Sequence, residues 1–539
     1  MSPENLGARS VAAPSIVTDP VYVRGAGTSR GTPDRIGGMT QADAPVPGRR
    51  SRMAVLIVAP LLALVALFSW GLSSPVGASP DDDFHLASIW CGHGDSAGCA
   101  AAASDDERVV YRDLAIDSVC FAFNADLSAS CHGADFGENP EEVLTTPRGN
   151  FTGLYPPVFY YVMSLFAGPD IESSVLVMKL VNSALLVGLA SVLFWLLPRH
   201  RRPTLVISLA VSLVPLGMFL VPSTNPSSWA IISAGTLWLA LLGVFETVGR
   251  RRVGLAAVAL VATVMGAGAR ADSAIYSGLA VALVLFMAFR KTRPYLGTAL
   301  FGVALVALAV ALYLTSHQGD AAANGLAPGA TGPGTDPLTL TIANLINIPS
   351  LWAGVFGSWN LGWLDTPLPA SVWVAALSAF AGAVFVGLAT RVPRKGVSVL
   401  VIVAAMTAIP TVLLVQSNSI VGANFQPRYL LPLMIMLAGF ILLTAPGRPL
   451  VTTPVQRWLT VVALSFANAI ALQTNIRRYV TGADLPGVNL DEGVEWWWHL
   501  PFSPMTVWIV GSLAFAGALA LLTWVWSTSR AVHPTRVPA

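Results

Sequence analysis

The chain reads as an all-α polytopic membrane protein of about twelve transmembrane helices, with a disulfide-bearing first external loop and interfacial helices. Three observations carry that reading. Only 11% of the 539 residues are charged and mean hydropathy is +0.65, whereas a soluble protein carries roughly a quarter charged residues. Apolar runs of membrane-spanning length recur, continuous rather than alternating, so they are helices and not barrel strands. Basic residues gather in every second connection. The net charge is only +2, which offers nothing to a nucleic-acid partner. Basic residues are nearly all Arg, and Ala, Gly and Val abound, a bias of high-GC bacterial genomes.

Residues 1–52 are rich in Gly, Pro, Ser and Arg and lack apolar periodicity, so a disordered cytoplasmic tail is expected. Arg49, Arg50 and Arg52 abut the first apolar run, at 53–72. This resembles a signal peptide, but the long tail and the many later runs favour a retained first helix. Further spans are expected at about 171–197, 203–222, 226–246, 253–269, 272–290, 294–316, 368–390, 397–415, 429–445, 455–474 and 504–526, each near the ~20 residues a bilayer requires. Together 53–526 forms one transmembrane domain, followed by a cytoplasmic tail at 527–539.

The cations test this count. Arg199, Arg201, Arg202, Arg250, Arg251, Arg252, Arg290, Lys291, Arg293, Arg391, Arg394, Lys395, Arg448, Arg530 and Arg536 all fall on the side of Arg49. By the positive-inside rule both termini are cytoplasmic, in a bacterial plasma membrane. The opposite side receives the long connections, 73–170, 317–367 and 475–503.

All four cysteines, Cys91, Cys99, Cys120 and Cys131, lie in the first of these. An extracytoplasmic loop is oxidising, so two disulfides are expected. Three pairings are possible, and nearest neighbours, Cys91 with Cys99 and Cys120 with Cys131, are preferred. There is no Cys-x-x-Cys spacing to suggest zinc. Residues 153–162 cluster Tyr155, Phe159, Tyr160 and Tyr161 behind two prolines, which suits an interfacial or re-entrant helix, with Tyr155 a candidate for substrate contact. The Gly- and Pro-rich stretch 317–337 is expected to be mobile. The amphipathic 338–364, with Trp352, Trp359 and Trp363, reads as interfacial. The pair suits either a lid over an external site or a plain linker.

Chemistry concentrates on the loop side. Asp81, Asp82 and Asp83 follow the first helix, in a chain poor in charge. Adjacent carboxylates repel, so at least one should hold its proton more tightly, as a general base requires. Asp81 and Asp82 also supply oxygens of the kind a divalent cation takes, and His85 can orient a carboxylate. The bland alternative is a solvated acidic turn. Arg270, Arg428 and Lys179 are cations where topology needs none, and they suit a phosphate. Snorkelling, or an ion pair between Arg270 and Asp272, is the alternative. Asn225-Pro226-Ser227 suits a helix cap. Trp496-Trp497-Trp498 beside acids suits sugar stacking or an interfacial anchor. No nucleotide loop or serine-hydrolase signature is present.

Four short motifs in order, Pro80-Asp81-Asp82-Asp83-Phe84-His85, Tyr155-Pro156-Pro157-Val158-Phe159-Tyr160-Tyr161, Asn225-Pro226 and Pro427-Arg428-Tyr429-Leu430-Leu431-Pro432, resemble a bacterial membrane-protein family known as domain of unknown function 2142. That family is similar in layout to the GT-C glycosyltransferases. The resemblance implies a GT-C-like fold and an inverting transfer of sugar from a polyprenyl-phosphate donor to an envelope glycan, lipid or protein. It implies Asp81 or Asp82 as the base and Arg428 as a phosphate ligand. Pro80-Asp81-Asp82-Asp83 stands where the family usually has Pro-Asp-Glu-Pro, and Ser227 where it has Asp. A transporter or flippase of a lipid-linked glycan, or a non-catalytic assembly partner, is the alternative, although polar residues at mid-membrane and internal repeats, which carriers favour, are not evident.

Overall fold

The computed structural model describes residues 49–530 except 97, 139, 318–335, 391 and 446–449. The expected tails, apart from their innermost residues, lie outside the described residues, as do most of the Gly- and Pro-rich stretch, Arg391 and Arg448. The chain forms α1 Arg49–Leu72, α2 Asp82–Trp90, α3 Arg112–Ala115, α4 Val158–Met163, α5 Ile171–Leu196, α6 Arg202–Leu213, α7 Leu216–Leu220, α8 Ser227–Glu246 and α9 Arg250–Ala269. There follow α10 Ala271–Ala288, α11 Arg293–Tyr313, α12 Pro337–Ala353, α13 Ala370–Leu388, α14 Pro393–Gln416, α15 Leu431–Ile441, α16 Pro454–Val480 and α17 Pro504–Arg530. Among the described residues, eleven helices are long and apolar enough to cross a membrane. The protein is an all-α multi-pass membrane protein.

The bundle is built around α8, which is buried almost throughout. Small residues let its neighbours approach closely. Gly439 of α15 faces Trp238, where an added Cβ would lie 2.2 Å from the indole. Trp238 also packs on Phe440, with ring centroids 4.8 Å apart.

Three expected segments take a different form. The run 203–222 is two helices, because Pro215 has no N–H to donate and its ring clashes with the preceding turn. Residues 221–226 then run irregularly but wholly buried. Asn182 donates to Ser223 O at 2.8 Å and Ser228 to Val221 O at 2.7 Å, so the backbone is satisfied by protein. The run 429–445 yields only the eleven-residue α15, buried on every side. Its trailing carbonyls are taken by side chains from the arginine-rich face: Leu442 O by Thr204 at 3.2 Å, Leu443 O by Lys395 at 3.1 Å and Thr444 O by Arg201 at 2.8 Å.

The third is the segment expected to lie at the interface. Helix α12, continued by a wide turn to Ser358, is long enough to span. Both of its flanks nevertheless bond to one face of the bundle. Asn344 holds Ser419 O at 3.0 Å and Val421 N at 2.9 Å, while Trp363 donates to Gly77 O at 2.9 Å and Asp365 accepts from Phe123 N at 3.1 Å. The chain enters and leaves on the same side, here termed the loop face. Its turn rests on Gly357, at φ 104°, a conformation that favours glycine.

The first long connection folds into an antiparallel sheet, β1 Cys99–Ala101, β2 Arg108–Tyr111 and β3 Val143–Thr146, which hydropathy did not anticipate. Disulfides Cys91–Cys99 and Cys120–Cys131 close it, with Cα separations of 5.3 and 6.1 Å. The expected nearest-neighbour pairing is the one present.

Candidate functional site

The acidic turn is presented by the link between α1 and α2. Lys179 of α5 donates to three carbonyls there, Gly71 at 3.0 Å, Ser74 at 2.5 Å and Pro75 at 3.3 Å, and lies 5.2 Å from the ring of Trp498. Trp498 itself donates to Leu72 O at 2.8 Å. Asn475 of α16 adds bonds to Ser73 and Ser74. These groups hold the end of α1 where water cannot serve its free carbonyls. Lys179 therefore faces the link rather than Arg270 and Arg428, and Trp498 is a buried brace.

The three aspartates part company. Asp81 sits at φ 62°, ψ 24°, a left-handed conformation uncommon for a residue with a Cβ, and starts α2. Its carboxylate contacts Arg428 Nη2 at 2.5 Å and Arg148 Nη2 at 3.5 Å. Asp82 turns inward and is 2% exposed. One oxygen accepts from Ser79 N at 2.9 Å and the other from Thr224 Oγ1 at 2.9 Å. Asp83 pairs with Arg148. Asp81 and Asp82 thus spend their oxygens on different partners. Among the described residues no three His, Cys, Asp or Glu side chains converge as a metal site would need. A resident cation held by Asp81 and Asp82 does not fit this arrangement.

The environments separate the two carboxyls. Burial alone would raise Asp81, but the positive charges of Arg428 and Arg148 overcome it and hold the group at about 2. Burial pushes Asp82 up to about 7 despite its two hydrogen bonds. His85 is drawn down to about 3 by burial and by the arginines, so it is neutral. Its Nδ1 lies 2.9 Å from Tyr160 Oη, and its buried Nε2 has no partner.

Arg428 stands on a short turn, Pro427–Tyr429, before α15. Besides Asp81 it donates to Pro80 O at 3.1 Å and Tyr429 Oη at 3.1 Å, and it is 4% exposed. Arg270 occupies the break between α9 and α10, in extended backbone at φ −150°. Asp272 grips it through two bonds of 2.9 and 3.0 Å, so the sequence-expected ion pair exists. The two guanidiniums converge on one ring, lying 4.9 and 5.0 Å from the centroid of Tyr429, and Arg270 also lies 5.7 Å from that of Tyr155. Arg270 Nη1 and Arg428 Nε are buried without a partner. Tyr155 packs against Phe84 and His85 at 5.5 Å. The result is a cluster of two guanidiniums and aromatic rings with Asp81 at its rim.

Of the residues picked from sequence, Asp81, His85, Arg270, Asp272, Arg428 and Tyr155 come together here. Thr224, Arg148, Tyr160 and Tyr429 belong to the same site and were not picked. Asn225 does more than start α8: it accepts from Ser227 N at 2.9 Å and donates to Pro80 O at 2.8 Å. Its neighbour Thr224 carried no signal of its own. Nor did Arg148, one of three arginines in the first long connection.

No curated protein and no solved structure matches the chain significantly. The family model described as predicted membrane protein (DUF2142) matches residues 64–437, well over half of the chain. That span carries the acidic turn, Arg270, Tyr155 and Arg428 with the helices that position them, and the chain belongs to this family of membrane proteins, DUF2142.

Proposed function

We propose that the protein is an inverting membrane glycosyltransferase of GT-C type, moving a sugar from a polyprenyl-phosphate donor to an envelope glycan, lipid or protein. The observation that supports it is the contact of Asp81 with Arg428 at 2.5 Å, beside a second arginine whose Nη1 is unpartnered. The acceptor hydroxyl gives its proton to Asp81, its oxygen bonds to the anomeric carbon, and the bond from that carbon to the phosphate oxygen breaks. The departing polyprenyl phosphate takes the electron pair, and Arg270 and Arg428 stabilise it. While Arg428 grips Asp81 the carboxylate is a weak base. Turning Arg428 toward a phosphate returns Asp81 toward ordinary basicity, so donor binding arms the base. Asp82 positions the turn through Ser79 and Thr224.

In this reading the loop face is extracytoplasmic and both termini are cytoplasmic, in a bacterial plasma membrane. Two disulfides on one face and arginine clusters on the other support it. The test is transfer of labelled sugar from a polyprenyl-phosphate donor by the protein in proteoliposomes. Transfer by the natural protein and its loss in Asp81→Asn are expected. Full transfer by the Asp81→Asn, Asp82→Asn double variant would end the proposal. Passage of the labelled donor across the bilayer without transfer would favour a flippase.

A further inference from the structure

The end of α16, the connection after it and Pro367 line a cavity of about 180 Å³, with Gln473, Thr474, Arg477, Arg478 and Leu485 among its walls. That is about tenfold the space a single water needs. Its two arginines differ in one respect. Arg478 is paired with Asp365 at 2.9 Å and donates to Phe121 O and Asn124 O, both at 3.0 Å. Arg477 meets only carbonyls, those of Gly487 at 3.2 Å, Glu492 at 3.4 Å and Asn489. Among the described residues no carboxylate pairs with it, although it is only 9% exposed. Its Nε and that of Arg478 are both buried without a partner.

The acids close by do not supply the missing charge. Asp491 accepts from Ser503 Oγ and Met505 N, each at 2.9 Å, and Glu495 accepts from Ser128 at 2.6 Å. Asp484 and Glu492 are exposed. A guanidinium buried beside empty space without a counter-charge is costly, and an anion in that space removes the cost. The planar guanidinium fork matches the oxygens of a phosphate.

We infer that this cavity is a second anion site, distinct from the Asp81 cluster, which takes a phosphate-type oxyanion on Arg477 and Arg478. The site stands whether or not Asp81 is a base. It is also linked to that cluster mechanically. Asn475, two residues before Arg477, donates to Ser73 O at 3.1 Å and Ser74 Oγ at 2.9 Å, on the link that presents Asp81.

The probe is inorganic phosphate, titrated at constant ionic strength against the full chain in phosphatidylcholine nanodiscs, with the thermal midpoint as readout. A parallel series uses nanodiscs containing phosphatidylglycerol. A saturable rise in the midpoint is expected with one or both, the first marking a soluble or glycan-borne group and the second a lipid headgroup. Arg477→Gln weakens the response at least about tenfold, while Arg108→Gln, on β2 of the first-loop sheet, leaves it intact. Because Arg477→Gln removes three structural bonds, Leu485→Glu is the second variant: Leu485 is 44% exposed, and the new carboxylate occupies the cavity from its rim. Leu485→Glu abolishes the response and Leu485→Gln does not. No response from the natural chain to either probe, or a response that survives both Arg477→Gln and Leu485→Glu, overturns the site.

Discussion

Asp81 and Arg428, 347 residues apart in sequence, meet at 2.5 Å, with the arginine buried and the aspartate side chain 39% exposed. The pair joins the first long connection to the turn before α15. Asp81→Asn keeps the shape of the turn but removes the carboxylate proposed as the base, so sugar transfer should fall at least about a hundredfold while expression and disulfide formation persist. Arg428→Lys cannot reach Pro80 O, Asp81 and Tyr429 Oη together, and should also lose transfer. Initial rates in proteoliposomes with both variants check this.

Asp82 makes stability depend on pH. Its carboxyl is raised from an ordinary 3.8 to about 7 by burial, so the folded state holds a proton that the unfolded chain releases. The stabilisation is complete below about pH 4 and is lost as pH rises through about 7. Asp82→Asn should remove that fall and leave the opposite trend of His85, whose ring, held neutral by burial, costs stability as pH drops below about 6.5. Asp81 acts in the opposite sense: its carboxyl lies at about 2, and its contribution disappears only as pH falls from about 4 toward 2. Thermal unfolding from pH 4 to 8, compared between the natural chain and Asp82→Asn, isolates the Asp82 contribution, because Asp81 does not vary there and His85 varies in both proteins.

Gly77 is at φ 80°, and a Cβ on it would stand 1.8 Å from Ser118 O. Gly77→Ala must therefore move either the link before Asp81 or the first-loop turn. A cost of about 3 kcal/mol or more is expected, with transfer lost in whatever protein survives. The midpoint and the yield of folded protein report it.

The disulfides close short loops, with separations of 8 and 11 residues. Paired Cys→Ser replacement should cost about 2 to 3 kcal/mol per bridge. Cys120–Cys131 should matter more to the site, since the Phe121 and Asn124 carbonyls beside it are bound to Arg478. Peptide mapping without reduction tests the pairing, and unfolding of each double variant tests the cost.

Lys179→Met should expose how the turn is held. Three carbonyls lose their donor in a place without water, so expression should drop sharply, by about 3 kcal/mol or more of stability. A fully stable variant with normal transfer would mean that the end of α1 is held by Asn475 and Trp498 alone.

Hydropathy is a local property, and what depends on it could be read from residues in a row. Continuous apolar runs located Ile171–Leu196 and Ser227–Glu246 within a residue or so, because lipid requires each span to satisfy its own backbone. Eight and eleven residues are short tethers, so neighbouring cysteines found each other. The acidic turn was conspicuous because so few charges surround it. Burial by protein is not local. Nothing in 203–222 or 429–445 distinguishes lipid from neighbouring helices as the surrounding medium, so the break in one and the shortness of the other could not be read, although each still leads from one face of the bundle to the other. Helix α12 has the composition to cross, and only the bonds of Asn344 within it to Ser419, and of Trp363 and Asp365 after it to Gly77 and Phe123, return the chain to its starting side. Likewise, three adjacent aspartates look equivalent until Thr224 takes one and Arg428 another. A carboxyl's charge depends on what surrounds it in space, and here those surroundings come from segments more than a hundred residues away.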